Sequence, residues 1–383
     1  MYLSKQKILL VSIILIAFIL LNSCGSPSGG DNEPNNTIEQ AVEITLGKAF
    51  SSSINPLGDY DWFKTEISEQ GYLKVSGNEI PEGLTIEIAY FLYQEWEGEK
   101  QKRVRGWREL PNALFIAEKG TYYFALHDNY DDQFSEQAFK IKVDFLKEFD
   151  PTEPNNNPKE AKQIEFDSDL IVATYPVGDY DFLKVKAEKQ GYITVKSKDV
   201  PEGITPEVKF CTFDEWSEPK LKTIRNWNEL PTACFIPEAG EYYLIFHDNY
   251  DDACSENPYK LKISFLDEMD IYEPNDNFNL AKEINIGDTI SPAIFPKGDN
   301  DYFKLNMAES GKIKFLVKDF ENITPEIRLF VINEDNPNEL KDYSDWKEIP
   351  AEFDVEGEKE YYILLHDNYD DQCSPNVFQI ILN

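Results

Sequence analysis

Phe139-Lys140-Ile141-Lys142-Val143-Asp144-Phe145 alternates apolar and polar residues without a break, and Tyr259-Lys260-Leu261-Lys262-Ile263-Ser264-Phe265 does the same. A period of two sends alternate side chains to opposite faces, so both stretches read as half-buried strands. Shorter stretches of the same kind run over Trp62 to Ile67, Tyr72 to Val75, Leu84 to Tyr93, Ala113 to Ile116 and Thr121 to Leu126. Gly, Pro, Asn and Asp stand between them, the residues that tight turns require. Seven or eight short strands in about 115 residues, with no sustained helical period, predict an all-β fold, an antiparallel β-sandwich of jelly-roll type. One short helix is expected over 37–42, with Asn36 as its cap.

The whole pattern occurs three times. His127-Asp128-Asn129-Tyr130-Asp131-Asp132 returns unchanged from His247 to Asp252 and from His366 to Asp371, at steps of 120 and 119 residues, and these copies hold all 3 histidines of the chain. Glu33-Pro34-Asn35-Asn36 returns as Glu153-Pro154-Asn155-Asn156 and Glu273-Pro274-Asn275-Asp276. Gly58-Asp59-Tyr60-Asp61 returns as Gly178-Asp179-Tyr180-Asp181 and Gly298-Asp299-Asn300-Asp301. Trp107-Arg108-Glu109-Leu110-Pro111 returns at Trp227 and Trp346. A unit of this length can bury its own core, so the repeats are expected to be three tandem domains, 31–148, 149–268 and 269–383, and not solenoid units. They leave no room for a separate catalytic domain, and no enzymatic activity is expected. Their linkers are short and acidic, with Asp150 in one and Asp270 in the other.

Ahead of the repeats, Lys5 and Lys7 precede an apolar run from Ile8 to Leu21 that ends in Leu21-Asn22-Ser23-Cys24. A basic start, a short apolar run and small residues at its end make a secretory signal. The run falls short of the roughly 20 residues a membrane span needs. Its ending resembles a bacterial lipobox, which implies a signal peptide over 1–24, lipidation at Cys24 and a Gly/Ser-rich tether over 25–30. The expected address is the bacterial cell envelope, lipid-anchored at the outer membrane or cell surface.

Charge narrows the partners. The formal net charge is −34, from 71 acidic and 37 basic residues. Nucleic acid is excluded as a partner, since phosphate binding needs the opposite sign. Self-repulsion of this size destabilises a compact state, and bound divalent cations would relieve it.

Glu-Pro-Asn-Asn, then Gly-Asp-x-Asp followed by aromatic residues, then Gly120-Thr121-Tyr122-Tyr123 or Gly240-Glu241-Tyr242-Tyr243 together resemble the bacterial pre-peptidase C-terminal domain family. The third repeat has Lys359-Glu360-Tyr361-Tyr362 and lacks the glycine. The resemblance covers all three repeats and implies accessory β-sandwich modules. In related collagen-binding domains of clostridial collagenases, calcium sits near the N-terminal segment. The matching positions here are Glu33, Asn35, Asn36, Asp59 and Asp61; Glu153, Asn155, Asn156, Asp179 and Asp181; and Glu273, Asn275, Asp276, Asp299 and Asp301. Calcium takes six to eight oxygen ligands, which carboxylates and amides supply. Ordinary Asx turns are the alternative for the same residues. The Trp-x-Glu-[Leu/Ile]-Pro element and the histidine loop lie outside the family pattern, so collagen binding does not carry over.

The histidine loops offer a second acidic set: His127, Asp128, Asp131 and Asp132; His247, Asp248, Asp251 and Asp252; and His366, Asp367, Asp370 and Asp371. Calcium or partner contact and plain structural turns both remain open. Zinc wants three or four N/S ligands, and each repeat has one histidine. A catalytic triad needs a nucleophile in register, and only the loop residues Ser135, Ser255 and Ser374 stand near. Trp107, Trp227 and Trp346 are expected as core anchors, and Cys211 and Cys234 as core residues that are either disulfide-bonded or free thiols. The expected function is a calcium-supported module for binding or adhesion to an envelope or extracellular protein or glycan. A structural spacer and an unrecognised hydrolase are the alternatives.

Overall fold

The computed structural model describes residues 32–93, 102–214, 220–267 and 270–383. Cys24, the signal segment and the tether lie outside the described residues. The first repeat contains β1 (Val42–Glu43), β2 (Ala49–Ser52), β3 (Asp61–Ile67), β4 (Gly71–Asn78), β5 (Ile86–Leu92), β6 (Lys102–Glu109), β7 (Asn112–Ile116), β8 (Gly120–Asp128) and β9 (Phe139–Lys147). One sheet runs β1-β3-β8-β5-β6 and the other β2-β9-β4-β7. Apart from β5 and β6, which pair within one sheet, the chain alternates between the two sheets, and the interleaved halves β3-β8-β5-β6 and β2-β9-β4-β7 make a jelly roll. One edge pair departs from the antiparallel rule: β1 runs parallel to β3, with Val42 opposite Phe63.

The same pair of sheets forms from Lys162 to Asp267 and from Lys282 to Leu382. In the last of these the strand corresponding to β6 is split into Asn336–Asp342 and Lys347–Glu348, and Trp346 is the last residue of the break. The described chain divides into two compact units, one ending at Phe149 and one running from Asp150 to Asn383. The second and third repeats therefore share a unit. Within it, Arg225 Nη2 donates to Lys297 O at 3.0 Å, and the Tyr192 and Phe295 rings meet edge-on at 4.9 Å.

Alternation decides what is buried. Along β3, Asp61, Phe63, Thr65 and Ile67 point inward, while Trp62 and Lys64 face out. Phe63, Leu73, Val75, Ile88, Tyr90, Phe124, Phe139 and Ile141 meet between the sheets. Each such side chain contributes about 1.5–3 kcal/mol when fully buried. Gly71 is required by close packing: a Cβ there would lie 2.4 Å from Leu146 O and 2.7 Å from the Phe145 ring.

β5 is buried on both faces. Its outer face carries Ala89 and Phe91, which pack with Ala125, Trp62, Trp107 and Tyr123 into a second apolar layer. Trp107 therefore belongs to this half-buried outer layer and not to the core expected for it; Trp227 stands likewise with Cys211, Tyr243 and Ile245. Cys211 is in that outer layer, Cys234 is in the inter-sheet core, and both are free thiols. The expected helix over 37–42 reduces to a 3-10 turn, Ile38–Gln40, because Ala41 leaves the helical region to enter β1; Thr37, not Asn36, stands at the cap position.

Candidate metal centres

The Glu-Pro-Asn-Asn segment lies beside the start of the strand that opens with the second Asp of Gly-Asp-x-Asp. Trp62 N donates to Asn35 O at 2.8 Å, and Phe182 N to Asn155 O and Tyr302 N to Asn275 O repeat the contact. Asp59, Asp179 and Asp299 occupy the preceding turn and close it, with Oδ2 accepting from Asn55 N at 3.0 Å, Tyr175 N at 3.1 Å and Phe295 N at 2.8 Å. Asp61, Asp181 and Asp301 begin the strand on its inward side. The two elements, far apart in sequence, thus meet at one end of each sandwich. An oxygen from each of Glu33, Asp59 and Asp61 lies within 4.8 Å of the others, and so does one from each of Glu273, Asp299 and Asp301.

The asparagine is the hub of the cluster. Asn155 Nδ2 donates to Asp181 Oδ1 at 2.7 Å and to Thr152 Oγ1 at 2.9 Å, and Asn275 Nδ2 donates to Asp301 Oδ1 at 2.9 Å. The backbone N–H of Asn35, Asn155 and Asn275 donates to Glu33, Glu153 and Glu273 in turn. In the first repeat Ser52 Oγ donates to Asp61 Oδ2. The linker carboxylates Asp150 and Asp270 are wholly buried and accept from Ala173 N at 2.5 Å and Ala293 N at 2.7 Å. Asn36, Asn156 and Asp276 are exposed at the rim of this set; Asn156 Nδ2 donates to Glu153 Oε2 at 2.9 Å, and the Asp276 carboxyl meets that of Asp299. Asp276 and Asp299 line a cleft of about 550 Å³ in the second unit together with Arg225, Cys234 and Phe235.

What remains after these bonds is a set of oxygens with no protein donor: Asn35 Oδ1, Asn155 Oδ1, Asp179 Oδ1, Asn275 Oδ1, Asp299 Oδ1 and Asp301 Oδ2. All belong to buried side chains. Leaving a buried acceptor unpaired costs about 1–3 kcal/mol, more for a charged one. Burial, followed by Asp59 and Glu33 nearby, pushes the Asp61 carboxyl up from 3.8 to about 7. Burial and then neighbouring carboxylates push Asp179, Asp181, Asp299 and Asp301 well above the ordinary range. Protons or a cation must compensate such a group. The donor set is entirely oxygen, which fits a hard divalent ion such as calcium and gives zinc none of its preferred ligands.

Ser52 and Thr152 are members of this set that sequence reasoning missed. The one signal for Ser52 is a polar residue where the second repeat has Val172.

The histidine loops use their acids differently. Asp128 accepts from Thr85 N at 2.9 Å and from Gln133 N at 3.0 Å, which fastens the loop at both ends. Asp248 and Asp367 make the same pair of bonds. Asp131 accepts from His127 Nδ1 at 2.8 Å and Tyr60 OH at 2.9 Å; Asp251 pairs likewise with His247 and Tyr180. Asp370 keeps the histidine bond alone, since Asn300 replaces the tyrosine. On its other side each histidine faces a glutamate, with Nε2 at 3.3 Å from Glu87, 3.5 Å from Glu207 and 3.0 Å from Glu326. His127 also stacks on Tyr60 at 4.9 Å and packs on Trp107 at 4.0 Å. Asp128 and Asp131 are thus taken up by internal donors, while Asp132, Asp252 and Asp371 are exposed. Ser135, Ser255 and Ser374 accept from backbone N–H groups two residues on, as turn residues do.

No family model and no curated protein matches the sequence. Among solved structures, the pre-peptidase C-terminal domain of a collagenase from Bacillus anthracis is 16% identical with a TM-score of 0.20, over 27% of this chain and 94% of that one. The CUB1-EGF-CUB2 domains of rat MASP-1 are 8% identical with a TM-score of 0.19, over 58% of this chain and 99% of theirs. The CBM22-1-CBM22-2 tandem of Xyn10C from Paenibacillus barcinonensis is 9% identical with a TM-score of 0.20, over 62% of this chain and 95% of that one. Likenesses this distant add nothing to the β-sandwich architecture, which rests on the sheets themselves.

Proposed function

We propose that the chain is a lipoprotein of the bacterial envelope, anchored through Cys24. Its three β-sandwich repeats are relatives of the pre-peptidase C-terminal domain, each held by a calcium ion, and together they serve binding or adhesion to a protein or glycan partner without catalysing a reaction. The observation that carries this reading is the buried oxygen cluster at the head of each repeat, in which the Asn side-chain oxygen has no protein donor and is joined by orphaned oxygens of Asp179 in the second repeat and of Asp299 and Asp301 in the third. Glu33, Asn35, Asp59 and Asp61, and their equivalents in the other repeats, would hold the ion. In supplying positive charge there, calcium offsets the mutual repulsion of carboxylates that burial alone would leave protonated. The strand ends and the linker then become one fixed surface.

The test is capture from intact cells and from extracellular matrix by immobilised full-length protein, in calcium and in chelator. A partner retained in calcium and released by chelator is the expected result. No retention in either condition favours a spacer, and a partner that is cleaved favours a hydrolase. The anchor is read separately: Cys24→Ala moves the protein from the detergent phase to the aqueous phase, and a wild-type protein already aqueous contradicts it.

A further inference from the structure

Most residues of the repeated His-Asp-Asn-Tyr-Asp-Asp loop have a structural task. The histidine packs on aromatic rings, the first Asp fastens the loop ends, and the second Asp binds the histidine. The Asn N–H donates to Thr85, Thr205 or Thr324 O. The tyrosine stands apart. Tyr130, Tyr250 and Tyr369 are 84%, 84% and 86% exposed. Their φ angles are +70°, +74° and +69°, and those of the following Asp131, Asp251 and Asp370 are also positive. A bulky side chain is unfavourable in that region, where Gly or Asn would sit with less strain.

The three copies tolerate change in buried and half-buried positions: Phe91, Cys211 and Phe330 correspond, as do Leu114, Cys234 and Phe353. They do not change this exposed, strained tyrosine. A residue that costs stability and buries almost nothing, yet stays the same where the core drifts, is kept for a contact outside the fold.

Charge names the class of partner. Each ring sits between Asn and a pair of Asp residues, and the Asn amides reach Glu109 at 3.4 Å and Glu348 at 3.2 Å. The chain as a whole carries −34. The neighbouring rings already take cations from the protein itself: Lys209 Nζ lies 5.6 Å above Trp227, and Arg328 Cζ lies 5.8 Å from the centre of Trp346. We propose that the three tyrosine tips are docking points for a basic, Lys/Arg-bearing protein segment, each ring receiving an ammonium or guanidinium group beside its carboxylates. This deepens the binding-module reading and rests on it.

The test compares wild-type protein, the triple variant Tyr130→Ala/Tyr250→Ala/Tyr369→Ala and the corresponding triple Phe variant. All three have the same charge at neutral pH, and because the side chains are exposed none should lose its fold. Binding to a decalysine peptide is measured at physiological salt, with neutral xylohexaose as the second probe. The Ala variant is expected to bind decalysine about tenfold more weakly than wild type, and the Phe variant within about twofold of it. Equal binding by Ala variant and wild type overturns the proposal, as does absence of binding by wild type. Tyr-dependent binding of xylohexaose overturns the basic partner in favour of a glycan. If partner capture remains calcium-dependent while the tyrosines make no difference, only the docking tips fall; if calcium-dependent capture is also absent, the module reading falls with them.

Discussion

Asn275 gives its amide N–H to Asp301 Oδ1 at 2.9 Å, and its own Oδ1, inside the same buried cluster, receives no donor from the protein. One side chain thus orients a carboxylate and adds an acceptor to the place where several acceptors already converge. Asn275→Asp removes the donor and adds a charge. In chelator it should lower stability by about 1–3 kcal/mol. In calcium most of that loss should be recovered, because a carboxylate is a good calcium ligand. Thermal melts in the two conditions check this; an equal loss in both would mean that no cation is held there.

The pH dependence has a definite sign. The Asp61 carboxyl has a folded-state value of about 7 against 3.8 for the ordinary group, raised chiefly by burial. Between those values the folded chain holds a proton that the unfolded chain has released. Stability in chelator therefore falls as pH rises through this window. Melting of the metal-stripped protein should occur at lower temperature at pH 8 than at pH 5, and calcium should remove or reverse the difference. A metal-free protein that becomes more stable from pH 5 to pH 8 contradicts the assignment.

Asp248 and Asp252 belong to the same loop and should behave oppositely. Asp248 is buried and accepts from two backbone N–H groups, Thr205 at 2.8 Å and Ala253 at 3.2 Å. Asp248→Ala leaves both donors unpaired and should cost about 3 kcal/mol, the scale for bonds to a charged acceptor. Asp252 is exposed, and Asp252→Ala should stay within about 0.5 kcal/mol of wild type. Denaturant midpoints of the two variants decide it.

Gly191 and Gly311 open corresponding strands, yet their surroundings differ. A Cβ on Gly191 would lie 2.5 Å from the Phe265 ring and 2.6 Å from Leu266 O, while one on Gly311 meets nothing within 4 Å. Gly191→Ala should destabilise by about 1–3 kcal/mol through overpacking. Gly311→Ala should be neutral or slightly stabilising, since it only restricts the unfolded chain. Equal effects at both positions would mean that the contact at Gly191 relaxes freely.

Much of the sandwich is legible in period-two alternation, because each sheet has one face toward a dry core. β6 escapes this reading: its pairing with β5 slips between Ile88 and Tyr90 and again between Tyr90 and Phe91, so its polar and apolar residues follow no simple alternation. The outer layer also escapes. The continuous apolar run of β5 marks burial on both faces, but the chain does not say that Trp107 and His127 cover the second one. The acidic cluster is half legible. Asp61 occupies an inward position in the alternation that continues through Phe63 and Thr65, which is unusual for a charged residue. That Asn35 stands over it follows from a backbone bond between segments far apart in the chain, which local patterns do not reveal.

The central claim is that buried oxygens at the head of each repeat hold calcium. Equilibrium dialysis of metal-stripped full-length protein against calcium, at physiological salt to screen the surface charge, tests it most directly. The companion is the triple variant Asp61→Asn/Asp181→Asn/Asp301→Asn. Wild-type protein should take up one tightly held calcium per repeat. A hundredfold excess over the dissociation constant should raise stability by about 2.7 kcal/mol. The triple variant should lose both the uptake and the stabilisation. Calcium uptake that is absent in wild type, or the same in wild type and variant, would show that these carboxylates and amides are turn residues and not a metal centre.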